Sequence, residues 1–193
     1  MANPLIPRAT VHAWSDQIGE AAHEHTTALQ RLLKDQRRLT RFIEKNAEQL
    51  GGASPGVCVY LTGVIARMFD LAGGRLKGAT WSDVHAAEAK VQGALDGLLP
   101  LDDGFLDRLH ALDGRAQAHI VDEAAMVLFE QEPSEEEEEL DKVEALKVLL
   151  ICWVVTEVLD GLWSPPKAFV GESSYTYVHL EPTRPKAEGT TEG

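Results

Sequence analysis

The segment Val143–Trp163 is apolar on nearly every helical face, and it constrains the fold more than any other stretch of the chain. Between Leu146 and Leu162 the only polar positions are Lys147, Thr156, Glu157, Asp160 and Gly161. A helix with so little solvent face belongs inside a bundle. A membrane span needs roughly 20 predominantly apolar residues, whereas the uncharged run between Lys147 and Glu157 has nine. Burial within protein is therefore expected. Ile151, Val154 and Val155 would also suit a buried strand, but the absence of any turn residue before Gly161 favours a helix. Burying Leu146, Leu149, Leu150, Trp153, Val154, Leu159 and Trp163 contributes on the order of 10 to 20 kcal/mol before conformational entropy is subtracted.

A chain of 193 residues is long enough for one domain with a real core and too short to require two. Its formal charge of −13 argues against general attraction to nucleic acid or to an anionic membrane. Two cysteines, Cys58 and Cys152, sit among apolar neighbours and are expected to be buried thiols in a reducing compartment. Met1–Arg8 has no apolar signal core, so a cytoplasmic location is the expectation.

In chain order, residues 1–9 hold Pro4 and Pro7 and form an irregular lead. From Thr10, an expected N-cap, to Leu50 there is no proline and one glycine, Gly19. This predicts one long helix, or two joined near Gly19, stopped by Gly51–Gly52. Steps of three and four select Val11, Ile18, Ala22, His25, Leu29, Leu32, Gln36, Leu39, Ile43, Asn46 and Leu50. Such a heptad-like seam needs a partner helix, from this chain or a second copy. Gln36 and Asn46 are expected to fix its register, and His25 to be a hydrogen-bonded core residue. Ser54–Pro55 opens a second helix, Ser82 caps a third that ends before Pro100, and a fourth runs from Asp102–Asp103 with a bend at Gly114. Ser134 and Glu135–Glu139 give a fifth helix an acidic first turn suited to the macrodipole. Asp122 to Glu144 holds eleven carboxylates and one lysine, most of the charge imbalance. The predicted fold is an all-α bundle of about five helices over residues 10–163, with a long first helix and a central apolar fifth helix. An extended arm over residues 164–181 and a disordered tail over 182–193 complete it.

Carboxylates and histidines at helical spacing are the main chemical raw material. Glu20/His23 and Asp107/His110 are each one turn apart, and His119/Glu123 are four residues apart. Helix bundles that hold two iron or manganese ions use paired Glu-x-x-His motifs and two further glutamates aimed inward. One matching motif, with aspartate in the second, makes a metal-binding oxidoreductase on Glu20, His23, Asp107, His110, His119 and Glu123 the alternative expectation rather than the first. There is no phosphate loop, dinucleotide fingerprint, zinc-spaced cysteine pair or nucleophile elbow.

The leading expectation is a non-enzymatic helical interaction protein, an adaptor, regulator or assembly subunit that binds a protein partner or a second copy. Arg31, Lys34, Arg38, Arg41 and Lys45 advance by threes and fours, and residues 28–50 carry six positive and three negative charges. This basic strip suits an acidic partner; with Phe42 its one aromatic neighbour, nucleic acid is disfavoured. Tyr175 and Tyr177, in the alternating arm, are the remaining candidate contact residues, suited to adding a strand to a partner's sheet edge or equally to packing over their own bundle. The acidic run is a solvated turn or a decoy for a basic partner.

Overall fold

The computed structural model describes residues 2–130 and 140–178. Its fold is all-α. The acidic run Glu135–Glu139 and the tail 182–193 lie outside the described residues.

The apolar segment forms a single helix, Lys142–Leu162, at the centre of the bundle. Among the described residues it is the eighth helix, not the fifth, and is termed α8. Asp141 caps it, its Oδ1 accepting from Val143 N at 2.8 Å and Glu144 N at 3.3 Å. Val148, Leu149, Cys152, Trp153, Val155 and Leu159 are each at most 1% exposed. Against it lie α3 (Arg37–Ala47), α4 (Ser54–Ala72), α5 (Trp81–Leu98) and α7 (Ala118–Phe129). α4 is long and apolar enough to cross a membrane by composition, but 56% of that window is buried in the bundle. Past α8 the pair Trp163–Ser164 (β2) joins Arg75–Leu76 (β1) in an antiparallel ribbon, and Trp163 Nε1 donates to Gly73 O at 2.8 Å.

The expected long first helix is not formed. Residues 8–47 make three helices: α1 (Arg8–Glu20), α2 (Ala22–Asp35) and α3. The breaks fall at Ala21 (φ −125°, ψ 41°) and Gln36 (φ −100°, ψ 45°), not at Gly19. A straight helix over that span would be about 60 Å long, roughly twice the length of α8. Breaking it lets the seam bend around α4, and Val11, Ile18, His25, Gln36, Leu39 and Ile43 are all buried by the chain's own helices. Gln36 is a tie rather than a register device. Its Nε2 donates to Lys77 O at 2.8 Å and its Oε1 accepts from Ala79 N at 2.9 Å, fixing the loop before α5. Asn46 turns back onto its own helix at Phe42 O. His25 Nδ1 accepts from Arg67 Nε at 3.0 Å, so it is a hydrogen-bonded buried residue.

Three helix starts also differ. α1 begins at Arg8, two residues before Thr10, because the lead is pinned. Asn3 Nδ2 donates to Asp160 O at 2.8 Å and to Trp163 O at 3.1 Å. α4 has Ala53 at its cap with Ser54 inside the first turn. Thr80, with Asp83 reciprocating in a capping box, starts α5 in place of Ser82.

The expected fourth helix is two: α6 (Phe105–Ala111) and α7. Gly114 (φ 78°) and Gln117 (φ 43°) both take left-handed backbone between them, so the chain turns there and does not merely bend. Gln117 bears that conformation because its buried amide is fully engaged. Oε1 accepts from Ile6 N at 2.8 Å, and Nε2 donates to Pro4 O at 3.0 Å and Asp160 Oδ1 at 2.8 Å.

Candidate functional site

α7 has only three polar side chains, His119, Asp122 and Glu123. Their spacing of three and four places them on one helical face, which Met126 continues. On an ordinary bundle helix this face would meet solvent. Here all three are buried, at 1%, 2% and 4% exposure.

Two covers account for this. From α1, Arg8 reaches across and its Nη1 donates to Glu123 Oε2 at 2.5 Å. His12 Nδ1 lies 3.1 Å from Glu123 Oε1. The second cover is the C-terminal arm. Tyr175 hydroxyl donates to Asp122 Oδ2 at 2.7 Å, and Glu172 Oε2 lies 2.7 Å from His119 Nε2. Tyr177 stacks on His110 of α6, with ring centres 3.6 Å apart and planes 19° apart. Arg115, buried in the α6–α7 turn, donates from Nη1 to Asp122 Oδ1 at 2.6 Å and sits 5.1 Å from the centre of the Tyr175 ring. The arm's backbone is held as well, since Leu5 and Glu172 exchange two hydrogen bonds of 2.9 Å.

Electrostatics follow from this burial. Burial is the first cause holding the His110 imidazole below its ordinary pKa, against the nearby Asp122 carboxylate, so it favours the neutral ring. Burial, and then its hydrogen bond to Asp122, pushes the Tyr175 phenol up, because ionising it would set a second anion against the carboxylate. Asp160, behind Gln117, is pushed up by burial, which the Gln117 and Asn3 hydrogen bonds only partly offset.

Comparison with protein-family models, with curated proteins and with solved structures finds no match for this chain.

The candidate metal ligands divide. His110, His119 and Glu123 meet in the α7 network, but Glu123 is taken by Arg8 and His12, and His119 by Glu172. Glu20, His23 and Asp107 are exposed elsewhere on α1, α2 and α6. Among the described residues no group of three His, Cys, Asp or Glu side chains is arranged to hold a metal ion. Both cysteines are buried free thiols. Desolvation pushes Cys58 up to about 11 and Cys152 well above its ordinary value, so at neutral pH both stay protonated.

The basic strip is fully displayed. Arg31 and Lys34 on α2 and Arg38, Arg41 and Lys45 on α3 are all exposed. None of the five forms an ion pair among the described residues. Beyond Lys45, a groove of about 310 Å³ opens between α3, α5 and α8, floored by Phe42, Val91, Ile151 and Val154, with Asn46 and Lys147 at its rim.

Arg8, His12, Arg115, Asp122 and Glu172 were not foreseen as site residues. The signal for Asp122 was present as a narrow polar stripe on an otherwise apolar helix. No sequence signal marks Arg8 or Glu172 as its cover, because they lie 115 residues from Glu123 and 53 from His119.

Proposed function

We propose that this chain is a non-enzymatic helical interaction protein that binds an acidic protein partner through the basic strip of α2 and α3. The observation that carries this reading is the strip itself: five exposed cations without ion-pair partners among the described residues, on a chain of net charge −13. The like charges of one strip repel one another, and an acidic surface relieves that repulsion while the strip steers the encounter. The seam beside it is spent inside the chain's own bundle, so binding runs through the charged flank.

The test is a titration of a fluorescein-labelled polyglutamate peptide and of a duplex DNA against the full chain at several salt concentrations. The peptide is expected to bind with an affinity that falls as salt rises. Arg38→Glu combined with Arg41→Glu should weaken it about tenfold or more while the helical circular dichroism stays unchanged. Undiminished peptide binding by that variant would remove the strip from the reading, and preference for the duplex would replace the acidic protein with nucleic acid.

A further inference from the structure

Permanently covered, the polar face of α7 would be built as well or better from apolar residues, because a buried ion pair is commonly no more stable than well-packed hydrophobic groups of the same volume. Charged residues have one advantage there. When the cover lifts they become hydrated, and no apolar patch is left exposed.

The arm that covers His119 and Asp122 has the properties of a removable lid. Glu172 and Tyr175 are half-buried with their side chains bonded to the bundle, and Tyr177, itself 37% exposed, stacks on His110. Ser173, Ser174, Thr176 and Val178 are exposed and make no side-chain hydrogen bond or ring contact among the described residues. It also satisfies the face incompletely. Arg115 Nη2 and His119 Nδ1, on residues more than nine-tenths buried, have no hydrogen-bond partner among the described residues. The N-terminal lead, clamped by Gln117, presents the backbone of Leu5 as a short edge to which an extended chain pairs.

We propose that the α6–α7 face beneath residues 172–177 is a peptide-binding site, and that its ligand is an extended segment of another protein. That segment carries a carboxylate, a tyrosine three residues later and a second aromatic ring two residues beyond. The chain's own arm occupies the site in cis and displays the recognition chemistry. The phenol donates to Asp122 with its ring beside Arg115 and His119, the carboxylate meets His119, and the second ring stacks on His110. A tethered arm competes at an effective concentration on the order of millimolar, so the site stays closed until the arm lifts.

Gly171 supplies a way to lift it. A Cβ there would lie 2.6 Å from Leu5 O and 2.8 Å from both Phe169 Cε1 and Pro4 Cβ, closer than real Cβ contacts. Gly171→Ala therefore displaces the root of the arm and leaves every residue of the face unchanged.

The experiment titrates a fluorescein-labelled peptide spanning residues 168–178 against the full chain as wild type, as Gly171→Ala and as Tyr175→Ala. Both variant chains should bind the peptide about tenfold or more tightly than the wild type does, since the competing arm is weakened. A peptide carrying Tyr175→Ala should bind the Gly171→Ala chain about tenfold more weakly, a loss that misfolding cannot produce because the change is in the ligand. If neither variant chain binds more tightly than wild type, or if the peptide substitution has no effect, the face is permanent core and the proposal fails. Native mass spectrometry of the unliganded proteins decides the occupant. Monomers throughout support a separate partner, whereas a wild-type dimer lost in Gly171→Ala would make the occupant the arm of a second copy and overturn the separate partner.

Discussion

One helix, α7, carries two surfaces that are equally buried and physically opposite. Ile120, Val121, Ala124 and Ala125 belong to the hydrophobic core, and exposing them would cost free energy in any state of the chain. His119, Asp122 and Glu123 are covered just as completely, but by salt bridges and hydrogen bonds to Arg8, Arg115, Glu172 and Tyr175. Burial is not one kind of stability. The apolar face is held by exclusion of water and tolerates no replacement partner. The polar face is held by particular partners, and its cost is felt when one of a pair is removed.

The largest effect that separates the two faces comes from splitting a buried ion pair. Arg8→Met leaves Glu123 beside His12 alone in a buried setting, and should cost about 3–5 kcal/mol. Adding Glu123→Leu should return most of that loss, because the unpaired charge then disappears. Urea unfolding followed by circular dichroism measures both. If the single substitution proves nearly silent, the network is solvated in practice and the contrast between the faces collapses.

On the apolar face the expected effect is smaller and has no such rescue. Ile120, 1% exposed, lies in the core, and Ile120→Val should cost about 0.5–1.5 kcal/mol through the lost methylene and the space it leaves. The loss should be the same at pH 5 and pH 8, since no ionisable partner is involved. A pH-dependent cost would mean that the two faces of α7 are coupled, and that the division between them is wrong.

Why one face was legible in the sequence and the other was not follows from the same contrast. α8 announces itself because an all-round apolar segment has one stable home. The all-α class and the apolar stripe through Val11, Ile18, Leu39 and Ile43 likewise follow from periodicity, though periodicity does not say that the chain's own helices cover that stripe. Periodicity does not say where a helix stops when the stop is set by tertiary contacts. Gln36, a polar intruder in the seam, ends α2 because its amide bonds Lys77 O and Ala79 N. The separation of α6 from α7 depends on Gln117 holding a left-handed backbone through bonds to Ile6, Pro4 and Asp160. The stripe His119, Asp122, Glu123 looks like a solvent face in isolation, and its burial is decided by distant residues. Tyr175 and Tyr177 stood out by alternation, yet nothing in their spacing showed that they lie against their own bundle.

The smallest predicted effect on the polar face is its response to pH. Burial lowers the pKa of His110 below its ordinary 6.5, so the folded chain resists a proton that the unfolded chain accepts. The stabilisation from the neutral ring is therefore complete above about 6.5 and is lost as pH falls through that value toward the lowered folded one, below which both states are protonated. At the alkaline end the sign reverses. The raised Tyr175 phenol keeps its proton in the folded chain, so its contribution is complete below pH 10 and is lost as pH rises from there. Urea midpoints of wild type and His110→Gln compared at pH 7.5 and pH 5 test the acid limb, and Tyr175→Phe compared at pH 9 and pH 11 tests the alkaline one. In each comparison the variant should lose part of the pH dependence of the wild type. An acid slope that survives His110→Gln unchanged would mean that the neutral His110 ring is not its source.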